Sequence, residues 1–414
     1  MIDRRTFTTL IGGAMVAPAF SPAAAQARSS TVFYSAVGPN LTLYEMNVAD
    51  ATLTRRSTVT VPANIQYVWP HPSKKYLYVV SSNRRPGFVG DKNFANAFRI
   101  APNGALEHHG EPAPLPSRAI HNTVDIMGEY LLTAFNDPST LTVHQINGDG
   151  TIGDEIKQGN PLDTGKYAHQ IRVTSDNQQV ILVTRGNNAP EDKVVNPGSL
   201  KVYDFLNGVL TNAAAIQPGD GMKFGPRHLD FHPTQPWVYV SIESQNKLAV
   251  YRRHPTTGLS QDPLFVKETL VDPNARGPRQ HAGAIHVHPN GRFVYLTNRD
   301  SGLVDFQGQK VNGGGFNNVA VFAIDQNTGE PTLIQTADAQ AIELRTFAID
   351  PTGRLLVAGS IRAVPVRDGD RIRMVPAGLS VLRIGDDGKL TFVRKYDIDT
   401  GTETQWWSGM VPMA

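Results

Sequence analysis

The sequence contains no cysteine among its 414 residues. This absence excludes disulfides, thiolate metal sites and cysteine nucleophiles, so an apolar core is expected to stabilise the fold without covalent cross-links. An excess of charge of one sign is also lacking, because 39 Lys and Arg residues and 37 Asp and Glu residues leave a formal net charge of +2. No run of Lys and Arg forms a polybasic segment. This balance argues against nucleic acid or an anionic membrane surface as a partner.

Long apolar runs are missing as well, so no membrane span is expected. The apolar stretch at residues 10–20 is too short for a bilayer, and it follows the twin-arginine pair Arg4-Arg5. An A-x-A sequence, typical of a cleavage site, comes next. The sequence therefore predicts a twin-arginine signal peptide over residues 1–27, a mature domain over 28–414, and a periplasmic or secreted protein delivered by the twin-arginine export machinery. A disordered basic leader is the alternative.

Familiar catalytic and cofactor fingerprints are absent too. The chain has no HExxH, GxSxG, Walker or dinucleotide-binding motif. The glycine run at residues 313–315 lacks the flanking strand and helix of a phosphate-binding loop. No metal and no organic cofactor is therefore expected. The twin-arginine signal would suit a quinoprotein dehydrogenase, but no cofactor fingerprint supports that alternative.

What the chain does contain is one strand–turn–strand unit that recurs. In each copy an apolar strand leads into a Pro-containing turn and a second apolar strand follows, as at residues 285–296. Six copies recur at intervals of roughly 50–60 residues, which is the spacing of propeller blades. Most are followed by a third strand and an Asn-x-Gly or Asp-Gly hairpin turn. Each unit thus supplies about four antiparallel strands.

A seventh unit is split between the two ends of the chain. Residues 31–53 resemble the later strands of a blade, and residues 406–411 are expected to supply its missing inner strand. Pairing the two ends closes the ring and removes open sheet edges. The sequence therefore predicts an all-β protein, a seven-bladed β-propeller whose ring is closed by N- and C-terminal strands in one blade. An open array of β-sandwiches is the alternative.

Polar side chains collect where each inner strand begins and where each second strand ends. Because these strands are antiparallel, the two positions lie at the same rim of the ring. The residues at the inner-strand positions are Gln66, His121, His169, Arg227 with His228, His281 and Arg345. The second-strand positions include Glu243 and Arg299. So many His and Arg around one Glu predict a charged central pocket, with merely solvated strand ends as the alternative.

The histidines in the turns have a different interpretation. His71, His232 and His288 occupy equivalent turn positions in three of the repeated units. A feature that recurs with the unit usually maintains the unit. We therefore expect a structural role for these three side chains rather than a catalytic one.

At its rim residues the chain resembles the seven-bladed propeller lactonases, a family that includes 6-phosphogluconolactonase and the fungal carboxy-cis,cis-muconate cyclase. The resemblance covers nearly all of the mature chain. It is most specific in residues 225–233, GPRHLDFHP, which continue to YVSIE at residues 239–243. The spacing from Arg227 to Glu243 is similar to that of the family's proposed catalytic pair.

The resemblance implies hydrolysis of a sugar-acid or muconate-type lactone, or the reverse closure of an unsaturated acid. The catalytic residues it implies are His169, Arg227, Glu243 and Arg299. His169 or Glu243 would act as general base, and the two arginines would hold a carboxylate or the oxyanion. The further residues expected to contact the substrate are His121, His228, His281 and Arg345.

The chain also departs from the family pattern. Long loops at residues 186–197, 301–317 and 363–374 interrupt blades, where they would form a lid or merely cover the surface. The acidic Asp-Leu-Gly-type segment of the phosphogluconolactonases is replaced by TRGN at residues 184–187. The lactone is therefore left open. A non-catalytic propeller that binds a small ligand or a protein partner in the periplasm is the second functional hypothesis, since a fold alone does not determine chemistry.

Overall fold

The computed structural model describes residues 31–85, 88–187 and 196–413. The predicted signal peptide at residues 1–27 lies outside the described residues. Every regular element in the described part is a β-strand, and seven sheets of four or five strands follow one another along the chain. No helix in this part could cross a membrane.

Each sheet is one blade, and its strands are given from the ring axis outward. Blade 1 contains Gln405–Pro412, Thr31–Val37, Asn40–Asn47 and Thr52–Thr60. Blade 2 contains Asn64–Pro70, Tyr76–Ser82, Asn93–Ile100 and Leu106–His108, with Ala113–Pro114 also on its third strand. Blade 3 contains Ala119–Val124, Tyr130–Asn136, Ser139–Ile146 and Ile152–Glu155. Blade 4 contains Ala168–Val173, Gln179–Thr184, Ser199–Leu206 and Val209–Ile216.

The remaining three blades have the same order. Blade 5 contains Pro226–Phe231, Trp237–Ile242, Lys247–His254 and Gly258–Leu259, with Phe265–Glu268 also on its third strand. Blade 6 contains Gln280–Val287, Phe293–Asp300, Asn318–Ile324 and Pro331–Asp338. Blade 7 contains Leu344–Ile349, Leu355–Ser360, Gly378–Ile384 and Leu390–Asp397.

The two ends of the chain meet in blade 1. The strand Gln405–Pro412 pairs antiparallel with Thr31–Val37 along its whole length. Neighbouring inner strands contact one another around the axis, including the inner strands of blades 7 and 1. The predicted seven-bladed propeller and its closure by terminal strands are therefore confirmed. Closure gives the first and last strands hydrogen-bonding partners that an open array would lack.

The apolar core lies between neighbouring blades. The strand Trp237–Ile242 is buried at every residue, because both faces of a blade pack against its neighbours. The outermost strand of blade 1, Thr52–Thr60, is mostly exposed. Val183 of blade 4 and Val240 of blade 5 belong to one such core cluster. This packing explains why the second strands are continuous apolar runs while the outer strands are polar.

Three turn histidines each join their blade to the one that follows. In His232 and His288 the Nε2 nitrogen donates to the carbonyl oxygens of Gly291 and Gly353, at 2.9 and 2.8 Å. His71 makes the equivalent bond to Gly128, also at 2.9 Å. Each acceptor is a turn glycine of the following blade. The three side chains therefore have the structural position that their repetition predicts.

Replacing Gly291 by Ala is expected to destabilise the protein more than replacing Gly308 by Ala. Both glycines have a positive φ, +72° and +76°, so each substitution incurs about 1–2 kcal/mol of left-handed strain. A Cβ on Gly291 would lie 2.5 Å from the His232 ring, whereas none of the described atoms lies within 4 Å at Gly308. In Gly291→Ala, displacing the His232 ring should also break its hydrogen bond to the Gly291 carbonyl, which adds about 1 kcal/mol to the loss of stability. Equal losses in thermal unfolding of the two variants would contradict this role.

Two of the long loops are folded hairpins. Leu303–Phe306 pairs with Gln309–Asn312, and Val364–Asp368 pairs with Arg371–Val375. The hairpins contact each other, and Gln307 Nε2 at the tip of the first donates to a carbonyl of the second at 3.0 Å. The third loop, residues 186–197, lies largely outside the described residues.

Candidate active site

A cavity of about 350 Å³ opens at the rim where the inner strands begin. Its lining residues are Arg118, Ile120, Asn136, Tyr167, His169, Arg185, Glu243, Arg279, His281, Arg299, Ser301, Glu343, Arg345, Arg362 and Trp406. Six arginines and two glutamates give this lining a formal charge of +4. A cavity with this lining attracts anions.

A β-bulge at the start of the inner strands delivers several of these side chains. In blade 4 the pairing steps from Ala168 to Gln170 while the second strand advances by one residue, so His169 is the extra residue of the bulge. The equivalent extra residues in five other blades are Trp406, Gln66, Ile120, Arg227 and Arg345. Bulges redirect side chains out of the regular alternation. Four of these six residues line the cavity.

Glu243 lies at the centre of an arginine cluster. It directly follows the strand Trp237–Ile242, and Arg299 Nη2 donates to its Oε1 at 2.5 Å. Arg227 Nε lies 3.1 Å from the same oxygen, and Arg185 Nη1 donates to Oε2 at 3.2 Å. The three guanidinium groups come from blade 6, from blade 5 and from the loop after the second strand of blade 4. One carboxylate thus bridges three blades.

These contacts fix the charge of Glu243. Burial alone would raise the pKa of its carboxyl group, but Arg299, Arg227 and Arg185 together hold that pKa well below its ordinary value. Arg227 is 1% exposed, and burial with the neighbouring Arg299 lowers its pKa to about 9. Glu243 therefore stays ionised at neutral pH. A carboxylate stabilised so strongly is a weak base.

His169 is uncharged at neutral pH. Burial, followed by the nearby Arg227, holds the pKa of its imidazole well below the ordinary value, although Glu243 opposes this shift. Its Nδ1 atom is buried and has no hydrogen-bond partner among the described residues. The ring lies edge to face with His228, with 5.1 Å between centroids. The cavity thus contains a neutral imidazole beside a fixed cluster of ions.

The other predicted contact residues divide into two groups. His281 and Arg345 line the cavity, whereas His121 and His228 are buried beneath it and do not. The His121 ring lies 3.9 Å from that of Tyr67, and neither of its nitrogens has a hydrogen-bond partner among the described residues. His228 faces a second cavity, of about 210 Å³, towards the other end of the axis. The assigned roles of all four residues stay predictions.

Several lining residues escaped the sequence analysis although local signals existed. Arg118 directly precedes the inner strand Ala119–Val124, and Arg185 directly follows the second strand of blade 4. Both adjoin rim positions. Trp406 belongs to the closing strand Gln405–Pro412, at the start of that inner strand. In blade 7, Glu343 directly precedes the inner strand and Arg362 lies two residues after the end of the second strand.

The donors in this cavity suit an anion rather than a metal ion. No three His, Asp or Glu side chains within residues 31–85, 88–187 and 196–413 are placed to share a metal. Guanidinium groups bind carboxylates and phosphates through paired N–H donors. The arrangement can therefore bind a negatively charged molecule next to a neutral imidazole.

Comparison with known proteins agrees with this architecture. The family profile described as "Lactonase, 7-bladed beta-propeller" matches residues 31–366. The 6-phosphogluconolactonase of Bacillus subtilis is 24% identical over 357 residues, 82% of this chain and 90% of the relative. The enzyme of that name from Pectobacterium carotovorum is 28% identical over 317 residues, 75% of this chain and 81% of the relative.

Solved structures of similar fold include a periplasmic gluconolactonase from Pseudomonas aeruginosa. It has a TM-score of 0.67 and 17% identity, and the match covers 93% of this chain and all of that one. A putative 6-phosphogluconolactonase from Bacteroides uniformis has a TM-score of 0.70 and 16% identity, with 93% and 100% of the two chains covered. Such structural likeness concerns the fold, whereas the profile spans most of the sequence. The chain therefore belongs to the seven-bladed β-propeller lactonase family.

Proposed function

We propose that this protein hydrolyses a lactone in the rim cavity. The observation that carries the proposal is the neutral His169 beside a carboxylate that three arginines hold ionised. Ester hydrolysis requires a base for water and positive charge for the developing oxyanion. His169 and Arg299 line one cavity and could supply both, in a chain that belongs to a lactonase family, which supports the proposal.

The reaction follows from these residues. His169 accepts a proton from water as the oxygen of that water bonds to the lactone carbonyl carbon. The carbonyl oxygen becomes negative, and Arg299, which lines the cavity, stabilises it. When the tetrahedral intermediate collapses, the ring C–O bond breaks and the leaving alkoxide takes the proton from His169. The product is an open-chain hydroxy acid, and no other reactant is consumed.

Glu243 has a different part in this proposal. Both of its carboxylate oxygens are occupied by guanidinium groups, whereas His169 lines the cavity and its Nδ1 atom has no hydrogen-bond partner among the described residues, so we assign proton transfer to His169. The negative charge of Glu243 lets Arg227, Arg299 and Arg185 remain close together despite their mutual repulsion. It therefore positions Arg299 and Arg185, the two of these arginines that line the cavity, to receive the substrate.

A panel of lactones tests the proposal. Purified mature protein should open at least one sugar-acid or muconate-type lactone faster than the buffer does, with acid release followed by pH-stat titration. An Arg299→Gln variant should lose most of this turnover, because the oxyanion would lose its cation. Calorimetric binding of a lactone without acid release would instead favour a non-catalytic binding propeller.

A further inference from the structure

A second cavity, of about 210 Å³, lies inside the ring towards the end opposite the rim cavity. Every residue that lines it belongs to an inner strand, mainly of blades 1, 2, 6 and 7. It therefore occupies the channel along the ring axis, and we call it the axial cavity. It shares no lining residue with the rim cavity. The axial cavity is thus a separate site, and the proposed lactone hydrolysis gives it no role.

Small side chains on one side of the channel leave this space open. Blade 7 contributes Ala348 to the lining and blade 1 contributes Gly409. The opposite side is filled, because the Arg172 guanidinium of blade 4 lies 5.1 Å from the centre of the Trp69 ring and pairs with Asp230 of blade 5 at 3.1 Å. The cavity is therefore built into the packing of the inner strands and is not a gap between loops.

Aromatic rings form much of the remaining wall. Tyr67 and Trp69 of blade 2 are stacked, with 6.5 Å between their centroids, and Trp407 of blade 1 lies edge to face with Tyr67 at 6.3 Å. Phe347 of blade 7 lies edge to face with His286 of blade 6, at 4.8 Å. Aromatic rings attract further rings in these same two geometries. The walls therefore favour a flat aromatic molecule.

The lining is also uncharged, unlike that of the rim cavity. Among the described residues that line the axial cavity, none is Lys, Arg, Asp or Glu, and the nearby Arg172 and Asp230 neutralise each other. An ion placed here would lose its hydration without gaining a counter-ion. A cavity of about 150 Å³ with apolar walls holds benzene. The volume and the lining therefore fit a single uncharged ring.

His228 adds one hydrogen-bond donor to this lining. Burial, and then the nearby Arg227, hold the pKa of its imidazole well below the ordinary value, so the ring is neutral at neutral pH. Arg227 Nη1 lies 3.3 Å from His228 Nδ1 and can only donate, so the imidazole proton resides on Nε2. No described residue accepts that proton. An oxygen atom on a bound ring would satisfy it.

We propose that the axial cavity binds a small uncharged aromatic molecule that has one hydroxyl group, of the phenol class. Its ring lies among Tyr67, Trp69 and Trp407, and its oxygen accepts the proton of His228 Nε2. The proposal does not depend on lactone hydrolysis, because the two cavities have no lining residue in common.

Ligand titration tests the site. Phenol is titrated into the mature protein by calorimetry, and thermal unfolding is measured with and without it. We expect saturable binding of one phenol per chain and a rise in Tm, because a ligand that binds only the folded state stabilises that state. His228→Phe should weaken phenol binding roughly 3–10-fold, as for one lost neutral hydrogen bond, without weakening the binding of toluene. Absence of saturable phenol binding by wild type, or equal losses for both ligands, overturns the proposal.

Filling the cavity gives a second readout. Ala348→Leu places a larger side chain in the lining and should weaken phenol binding roughly tenfold or more. The matched control is Ala323→Leu, because Ala323 is also half-buried but lies on the third strand of blade 6, outside the lining. Urea unfolding checks that both variants fold. Equal phenol binding by the two variants contradicts the site, and so does benzoate binding that Ala348→Leu weakens, since benzoate is charged.

A soaked crystal locates the ligand without any substitution. The mature protein is crystallised and soaked in 4-bromophenol, and the anomalous signal of bromine marks the position of the ring. We expect bromine in the axial cavity, with the hydroxyl group beside His228. Bromine found only in the rim cavity or on the outer surface overturns the assignment, even if phenol binds in solution.

Discussion

Replacing His169 by Gln is expected to lower kcat for lactone hydrolysis by about 10²–10⁴-fold, the usual contribution of a general base. Glutamine keeps a polar side chain in the cavity but cannot accept the proton of the attacking water. KM should change little, because the arginines that hold the substrate are untouched. His281→Gln is the matched control, since His281 also lines the cavity but has no proton-transfer role in the proposed reaction. A comparable loss of kcat in both variants would argue against a base at His169.

The pH profile gives an independent readout of the same residue. Only the neutral imidazole can act as a base, so kcat/KM should fall as the pH drops through the pKa of His169. That pKa lies well below the ordinary value because of burial and Arg227. We therefore expect activity to stay level through about pH 6.5, where an ordinary histidine titrates, and to decline only at lower pH. An acid limb at the ordinary value, or one unchanged in His169→Gln, would show that another group titrates.

Replacing Glu243 by Gln is expected to lower the free energy of unfolding by about 3–5 kcal/mol, as when one partner of a buried ion pair is removed. The substitution leaves Arg227 and Arg299, 1% and 7% exposed, beside Arg185 without their shared carboxylate. Urea unfolding at neutral pH measures the loss. The difference between wild type and Glu243→Gln should begin to shrink as the pH falls through the ordinary glutamate range, where Glu243 becomes protonated in the unfolded chain. It should vanish only at very acidic pH, because the pKa of Glu243 in the folded protein is strongly lowered.

Two comparisons separate this charge effect from simple loss of a side chain. Glu343 is the other acid in the cavity, but its contact with Arg362 is longer, at 3.7 Å, and Arg362 is exposed. Glu343→Gln should therefore cost much less. In the double variant Glu243→Gln with Arg299→Gln, part of the lost stability should return, since one uncompensated charge is gone. A double variant no more stable than Glu243→Gln alone would contradict the repulsion argument.

The fold could be predicted in detail from the sequence because its determinants are local and repeated. The alternation of apolar strands and Pro turns, as at residues 285–296, appears in successive blades and specifies each sheet. Even closure by residues 406–411 was predictable, because residues 31–53 lack an inner strand.

The predicted site was less complete than the predicted fold. His169, Glu243, His281, Arg299 and Arg345 line the cavity, while His121 and His228 lie beneath it.

The extra residue at the bulge of an inner strand explains why His121 and His228 lie beneath the cavity rather than in its lining. In blade 3 the bulge residue is Ile120, so His121 takes the position after the bulge. His228 has that same position in blade 5, directly after Arg227. A shift of one residue moves a side chain about 3.3 Å along the strand and turns it to the other face. A bulge breaks the period of two on which sequence alignment of the strands relies.

The sequence by itself determined the seven blades, the closing strand and the rim to which the polar side chains belong, because strand periodicity and turn chemistry act over a few neighbouring residues. Only the tertiary structure decided which of those side chains meet. Arg185, Arg227 and Arg299 are far apart in the chain, yet they share Glu243 because blades 4, 5 and 6 are neighbours. Arg345 and Arg118 meet over Trp406 because the ring closes. Such contacts depend on how the blades pack around the axis, which no local pattern encodes.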